Sequence, residues 1–191
     1  MQVYRKFARR WNPREHDRPI RVLFISESPP SPEKDLEDMR DEDVPYFYNV
    51  DDYHDCRRLS YAVSKLFLKV TPETWKSGKS LKEAFLNRFC GCGFFLLDIC
   101  NEPIDNLEKK ERKARRRISA ETLRNRVVKL EPDAVVVLMK SMDSLIKPLL
   151  EGRYGERYIA VKFPQRFGTK TLMKALLGLG FIFNDENIIE C

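Results

Sequence analysis

No stretch of this 191-residue chain approaches the roughly 20 consecutive apolar residues that crossing a bilayer requires. The segment Met1 to Arg10 is basic and aromatic and has no apolar core of the kind a secretory signal carries. These absences lead to the expectation of a soluble, cytoplasmic protein with no membrane partner. Histidine is scarce: His16 and His54 are the only two, and neither falls in an obvious catalytic dyad. Cysteine is present five times, at 56, 90, 92, 100 and 191. An odd count without a secretion signal argues against a disulfide framework. Cys90-Gly-Cys92 followed by Cys100 raises the question of a metal, but zinc ligands usually come as two pairs with two to four intervening residues. Cys100 closes an apolar run, where buried thiols are common. No metal and no cofactor are expected. The chain has no internal repeats.

What is present is enough for a substantial core. With 42% hydrophobic residues, 191 residues suit a single α/β domain spanning 1–191, with 1–20 as a basic lead-in. The formal charge of +6 permits a nucleic-acid partner without demanding one. Its distribution says more than its sum. Glu33 to Asp55 carries ten acidic residues against Lys34 and Arg40, whereas Lys109 to Arg117 carries seven basic residues against Glu111.

Four apolar runs read as strands: 21–25, 93–100, 133–139 and 158–163. They are continuous rather than alternating, which suits parallel strands covered on both faces. Between them the spacing of apolar residues predicts helices over about 55–70, 80–89, 119–130, 141–150 and 169–179. Ser80 with Glu83 matches a capping box, Ser119 is placed as a cap, and Pro132 as a stop. Residues 31–55 form a long acidic connection holding Tyr46, Phe47, Tyr48 and Tyr53, and 101–117 a polar, basic one. Alternating strands and helices give a three-layer sandwich: a four-stranded parallel sheet flanked by helices, with right-handed crossovers.

In open α/β sheets ligands bind beyond the carboxyl ends of the strands. The first strand runs into Ser26-Glu27-Ser28-Pro29-Pro30, the second supplies Asp98 and Asn101, and the fourth leads to Phe163, Gln165 and Arg166. One crevice would collect them. Carboxylates, an amide, a guanidinium and aromatics together can recognise a heterocycle and activate water. Each residue also has a plainer role. Glu27 suits a helix N-terminus, Asp98 a buried carboxylate bonded to amides, Phe47 a plug over the core, and both charged runs solvated faces.

The order of these elements resembles the uracil-DNA glycosylase superfamily. Ser26-Glu27-Ser28-Pro29-Pro30 is similar to its first motif, Leu96-Leu97-Asp98-Ile99-Cys100-Asn101 to its second, and Lys162-Phe163-Pro164-Gln165 sits where its fourth belongs. The likeness runs from about Arg21 to Leu179 and rests on order and spacing, since each motif is short. It implies a DNA-repair hydrolase acting on the N-glycosidic bond of a flipped nucleotide. Glu27 or Asp98 would position water and stabilise the cationic sugar. Phe47 would stack on the base, with Ser26, Ser28, Asn101, Phe163, Gln165 and Arg166 completing the pocket. Lys109, Lys110, Arg112, Lys113, Arg115, Arg116 and Arg117 would contact phosphate. Two departures stand out: Phe163 occupies the place of the family's histidine, and Ser26 that of a glycine. They keep open a second reading, a nucleic-acid- or nucleotide-binding protein that retains the fold without the chemistry.

Overall fold

The structure, a computed structural model, describes residues 2–56, 58–164, 168–186 and 188–190. Its centre is a four-stranded parallel sheet: β1 (Val22–Ser26), β2 (Phe94–Asp98), β3 (Ala134–Val137) and β4 (Tyr158–Ala160), in the order β2-β1-β3-β4. The continuous apolar runs explain this arrangement. Every residue of β1 and β3 is buried, so neither strand has a face to give to water. The register pairs Val22 with Phe94 through Ser26 with Asp98, and Val22 with Ala134 through Ile25 with Val137. Main-chain pairing continues past the strands, Ile99 N donating to Ser26 O at 2.9 Å and Cys100 N to Glu27 O at 2.9 Å. The ends of β1 and β2 are thereby fixed side by side.

Helices flank the sheet in a three-layer arrangement. They are α1 (Gln2–Arg10), α2 (Leu59–Ser64), α3 (Pro72–Lys76), α4 (Lys79–Gly91), α5 (Lys109–Leu130), α6 (Asp143–Tyr154) and α7 (Lys170–Gly178). α4 lies against β2, while α6 packs on β3 and β4 and touches α5. A short antiparallel pair, β5 (Ile182–Phe183) and β6 (Ile189–Glu190), follows α7. Phe24, Phe47, Phe67, Phe85, Phe89 and Phe94 pack ring against ring at centroid separations of 5.4–5.7 Å. Such pairs add about 0.5–1.5 kcal/mol each beyond the area they bury. Gly93, at φ +77°, turns the chain from α4 into β2; a Cβ there would lie 2.8 Å from Pro19 O and 2.9 Å from Arg21 Cγ.

Several local expectations are corrected. The basic stretch 101–117 is not a connection ahead of a helix capped by Ser119. Residues 109–130 form one 22-residue helix, and Ser119 lies inside it. Positions 112, 116, 120, 123 and 127 explain why, since they recur every three or four residues along a single inward face. The helix predicted over 55–70 contracts to the six residues of α2. Ser80 is no cap: α4 starts one residue earlier, with Gly78 at its N-cap, and the capping box forms instead between Thr71 and Thr74 at α3. α6 continues to Tyr154 through residues expected to turn. The acidic connection contains two 3-10 turns, 36–38 and 41–43, and Asn49 pins it by donating to Asp41 O at 2.9 Å and Val44 O at 2.7 Å. The lead-in is also folded, with Trp11 buried and Arg14 Nε donating to Leu130 O at 3.0 Å at the end of α5. Among the described residues no helix is long and apolar enough to cross a membrane.

Candidate functional site

β1 is followed in the chain by β2 on one side, and the connection after β2 crosses back to place β3 on the other. The carboxyl ends of β1 and β3 therefore flank a topological switch point, where such sheets open a crevice. A cavity of about 650 Å³ lies there, within the roughly 300–1,000 Å³ range of small-molecule sites. All four strand ends reach it: Ser26 at the end of β1 with Glu27 and Ser28 after it, Asp98 from β2, Lys140 and Ser141 after β3, and Lys162 and Phe163 after β4. Tyr46, Phe47 and Asp52 from the acidic connection, with Arg58 and Ser60 at the start of α2, close another wall.

Glu27 is not a free carboxylate. Arg112 Nε donates to its Oε1 at 2.9 Å, Arg112 Nη2 pairs with Oε2, and the Arg116 guanidinium pairs with Oε1. Arg112 and Arg116 are one helical turn apart on the inward face of α5, so both reach the end of β1. The Glu27 carboxylate in turn pushes the Arg112 pKa up. The helix-capping role open to Glu27 is thus replaced by an ion triad.

Asp98 behaves differently. Its carboxylate takes a hydrogen bond from Ser26 Oγ, the side chain opposite it in the register. Burial pushes its pKa up to about 6 and Glu27 adds to the rise, while the Ser26 hydrogen bond and Arg126 oppose it. Arg126, also on α5, donates to Ile99 O and to Asp98 O, each at 2.7 Å, and clamps the turn after β2. Asp105 ties the two neighbouring loops together, accepting from Ser31 N at 3.0 Å. A buried carboxyl poised near neutrality inside a cleft is the kind of group that general base chemistry uses.

The aromatic wall is rigid. Phe47 is 7% exposed, with its ring 5.0 Å from Tyr48, 5.7 Å from Phe85 and 5.4 Å from Phe89. It is a plug anchored in the core and also lines the cavity. Tyr46 beside it is held by Tyr4 at 5.0 Å, and burial raises its pKa well above the usual phenol range. Lys82, fully buried, fixes the loop behind them by donating to Tyr46 O at 3.2 Å and Asp52 O at 2.5 Å. Its desolvation pushes its pKa down to about 8.

The chain matches no family model, curated protein or solved structure. The site must therefore be read from its own geometry.

Of the residues singled out in the sequence, Ser26, Glu27, Ser28, Phe47, Asp98 and Phe163 line one cavity. Asn101 is exposed and is not part of the cavity wall. Gln165 and Arg166 lie outside the described residues. The basic run divides: Arg112 and Arg116 turn into the cavity, while Lys109, Lys110, Lys113, Arg115 and Arg117 stay exposed, with no ion pair among the described residues. Arg58, Ser60, Asp52, Lys140 and Ser141 were not singled out from the sequence. Nothing in their local spacing marks them, because they reach the cavity through loop geometry. The two inward arginines did carry a signal, since they continue the 120, 123, 127 stripe backwards. The acidic connection folds partly onto α1, with Asp41 paired to Lys6. Among the described residues no group of three or more His, Cys, Asp or Glu could hold a metal ion.

Proposed function

We propose that this cavity receives an extruded nucleobase and that the chain hydrolyses an N-glycosidic bond, in the manner of the uracil-DNA glycosylase superfamily that its motifs resemble. The observation that carries the reading is Asp98, a buried carboxyl with a pKa near 6 at the end of a parallel strand, in the same cavity as Tyr46 and Phe47. A base must leave the stack before its glycosidic bond can be reached. In the cavity the base would lie against the aromatic wall. As the bond from C1′ to the base nitrogen breaks, the electron pair leaves with the base and positive charge grows on the sugar. Ionised Asp98 stabilises that charge and accepts a proton from the water that adds to C1′. Glu27 serves as a positioning residue that aims Arg112 and Arg116. The outward cations of α5 engage phosphates.

Two observations favour the second reading, a nucleotide- or nucleic-acid-binding protein without chemistry. Both Glu27 oxygens are already engaged by guanidinium groups, and Phe163 offers no hydrogen-bond donor to a departing base. Labelled oligonucleotides bearing uracil, hypoxanthine, xanthine or mismatches, treated with protein and then alkali, separate the two. Strand breaks that disappear in Asp98→Asn support hydrolysis. Intact strands throughout, with retained oligonucleotide affinity, support the binding protein.

A further inference from the structure

The charges around the cavity are unevenly placed. On the β2 side, Arg58 lies 3.8 Å from Asp52 and 3.6 Å from Asp55, Lys82 lies 3.8 Å from Asp52, and Arg126 donates to the main chain of Asp98 at 2.7 Å. Three cations there meet three carboxylates. At the end of β1, Arg112 and Arg116 pair with Glu27, and Asp105 acts on Arg112 from the loop after β2. Two cations there meet two carboxylates. Lys140 after β3 and Lys162 after β4 complete the charged wall, and no carboxylate among the described residues lines the cavity at either strand end. Asp143, close to Lys140 in the chain, accepts from the Tyr158 hydroxyl at 2.9 Å and is not part of the wall. The site thus holds two more cations than carboxylates, and the excess stands on the β3–β4 side.

The aromatic wall stands on the opposite side. Tyr48 stacks on Phe95 of β2 at 5.6 Å and donates to Leu96 O at 3.2 Å, so the loop that carries Tyr46 and Phe47 rides on β2. The sheet order β2-β1-β3-β4 then separates that wall from the lysines. Neighbouring strands lie about 4.8 Å apart, which puts about 14 Å between the ends of β2 and β4. A base seated against Phe47 leaves the lysine side unfilled, and the cavity of about 650 Å³ is larger than a lone base. Base, sugar and phosphate in line fit that span. A phosphate monoester brings about 1.5 to 2 negative charges at pH 7 and three acceptor oxygens, which matches the excess. A diester linkage within a strand brings only a single charge.

We infer that the β3–β4 side of the cavity is a subsite for the terminal phosphate monoester of a nucleotide, held by Lys140, Lys162 and the Ser141 hydroxyl. Arg112 and Arg116 add to the positive field from the end of β1. The inference rests on the reading of the cavity as a nucleobase site and adds the class of ligand. A free mononucleotide and the phosphorylated end of a strand both carry such a group.

The test is binding of uridine, inosine and their 3′- and 5′-monophosphates to the full chain at pH 7.5, located by amide chemical shifts and measured by calorimetry. A monophosphate is expected to bind at least about tenfold more tightly than its nucleoside at low salt, with the gain shrinking as salt is added. Lys140→Ala and Lys162→Ala, both at exposed positions, are each expected to remove about three- to tenfold of that gain while leaving nucleoside affinity unchanged. Lys174→Ala, the same loss of charge on the exposed surface of α7, is expected to leave the gain intact. A thymidine trinucleotide with and without a terminal phosphate separates the two sources. A gain confined to free monophosphates assigns the subsite to mononucleotides, and an equal gain in the trinucleotide assigns it to strand ends. Equal binding of nucleoside and monophosphate, a gain that survives both cavity variants, or one lost equally in Lys174→Ala overturns the subsite and leaves the nucleobase cavity standing. Absence of any shift at cavity residues with all of these probes removes the nucleobase reading and this inference with it.

Discussion

Asp98 offers the sharpest test of the physical reading, because its burial makes a signed prediction about stability against pH. An ordinary aspartate ionises near 3.8, whereas Asp98 in the folded chain does so near 6. Between these values the native state holds a proton that the unfolded chain has released, so stability falls as pH rises through that window. At 1.36 kcal/mol per pH unit the gap amounts to about 3 kcal/mol, absent below pH 4 and fully expressed above pH 6 or so. Asp98→Asn removes the titration, and its amide oxygen can still accept from Ser26 Oγ. The variant should therefore match the parent near pH 4 and exceed it by about 3 kcal/mol at pH 8. Urea denaturation of both proteins at several pH values, with the slope of each transition checked for constancy, measures the difference directly. A difference that is the same at pH 4 and pH 8 would refute the argument. It would mean that Asp98 is solvated or paired well enough to ionise like a surface carboxylate.

The ion triad makes a different prediction. Glu27→Gln should lower stability by about 2 kcal/mol by leaving two partly buried guanidinium groups short of their carboxylate. It should also raise oligonucleotide affinity at low salt, and steepen the dependence of log K on log salt by up to about 2, as Arg112 and Arg116 become free for phosphate. An unchanged slope would show that these arginines stay off the nucleic acid. Reversing Lys113, Arg115 and Arg117 to glutamate should flatten the same slope by up to about 3, with little effect on the urea midpoint. Loss of folding in that variant would mean the outer face of α5 is covered rather than solvated. Gly93→Ala, which combines a positive φ with backbone overlap at Pro19 O, should destabilise the fold by about 3 kcal/mol in the same denaturation assay. A loss below about 1 kcal/mol would show that the turn into β2 can relax.

The sheet was legible in the sequence because continuous apolar runs such as Val22–Ile25 and Ala134–Val137 admit few other readings, and the strand ends placed Glu27, Ser28 and Asp98 in one crevice. Local rules failed where tertiary packing outweighed them. Ser119 looks like a cap by composition, but Arg112 and Arg116 gain a buried carboxylate by continuing the helix towards its N-terminus. That gain depends on a residue 85 positions away from Arg112, which no window along the chain can register. Arg58, Ser60, Lys140 and Ser141 were illegible for a related reason, since loops bring them to the cavity. Tyr53 and His54 show the limit in the opposite direction: the rings lie 4.0 Å apart, tilted by 42°, yet His54 is exposed and outside the cavity.

The inward stripe of α5 has a consequence for how this chain can diverge. Its basic residues at 109, 110, 113, 115 and 117 are exposed, so packing among the described residues sets no preference there between lysine and arginine. Arg112 grips Glu27 with two nitrogens at once, and Arg116 reaches the same carboxylate from one turn further on. A lysine ammonium has no fork and cannot reproduce that grip. Sequences descended from this one should hold arginine at 112 and 116 together with glutamate at 27, changing all three or none. The flanking basic positions should drift freely between the two cations. Such a split within a single run of like charge would record, in heredity, which side chains of one helix look inward.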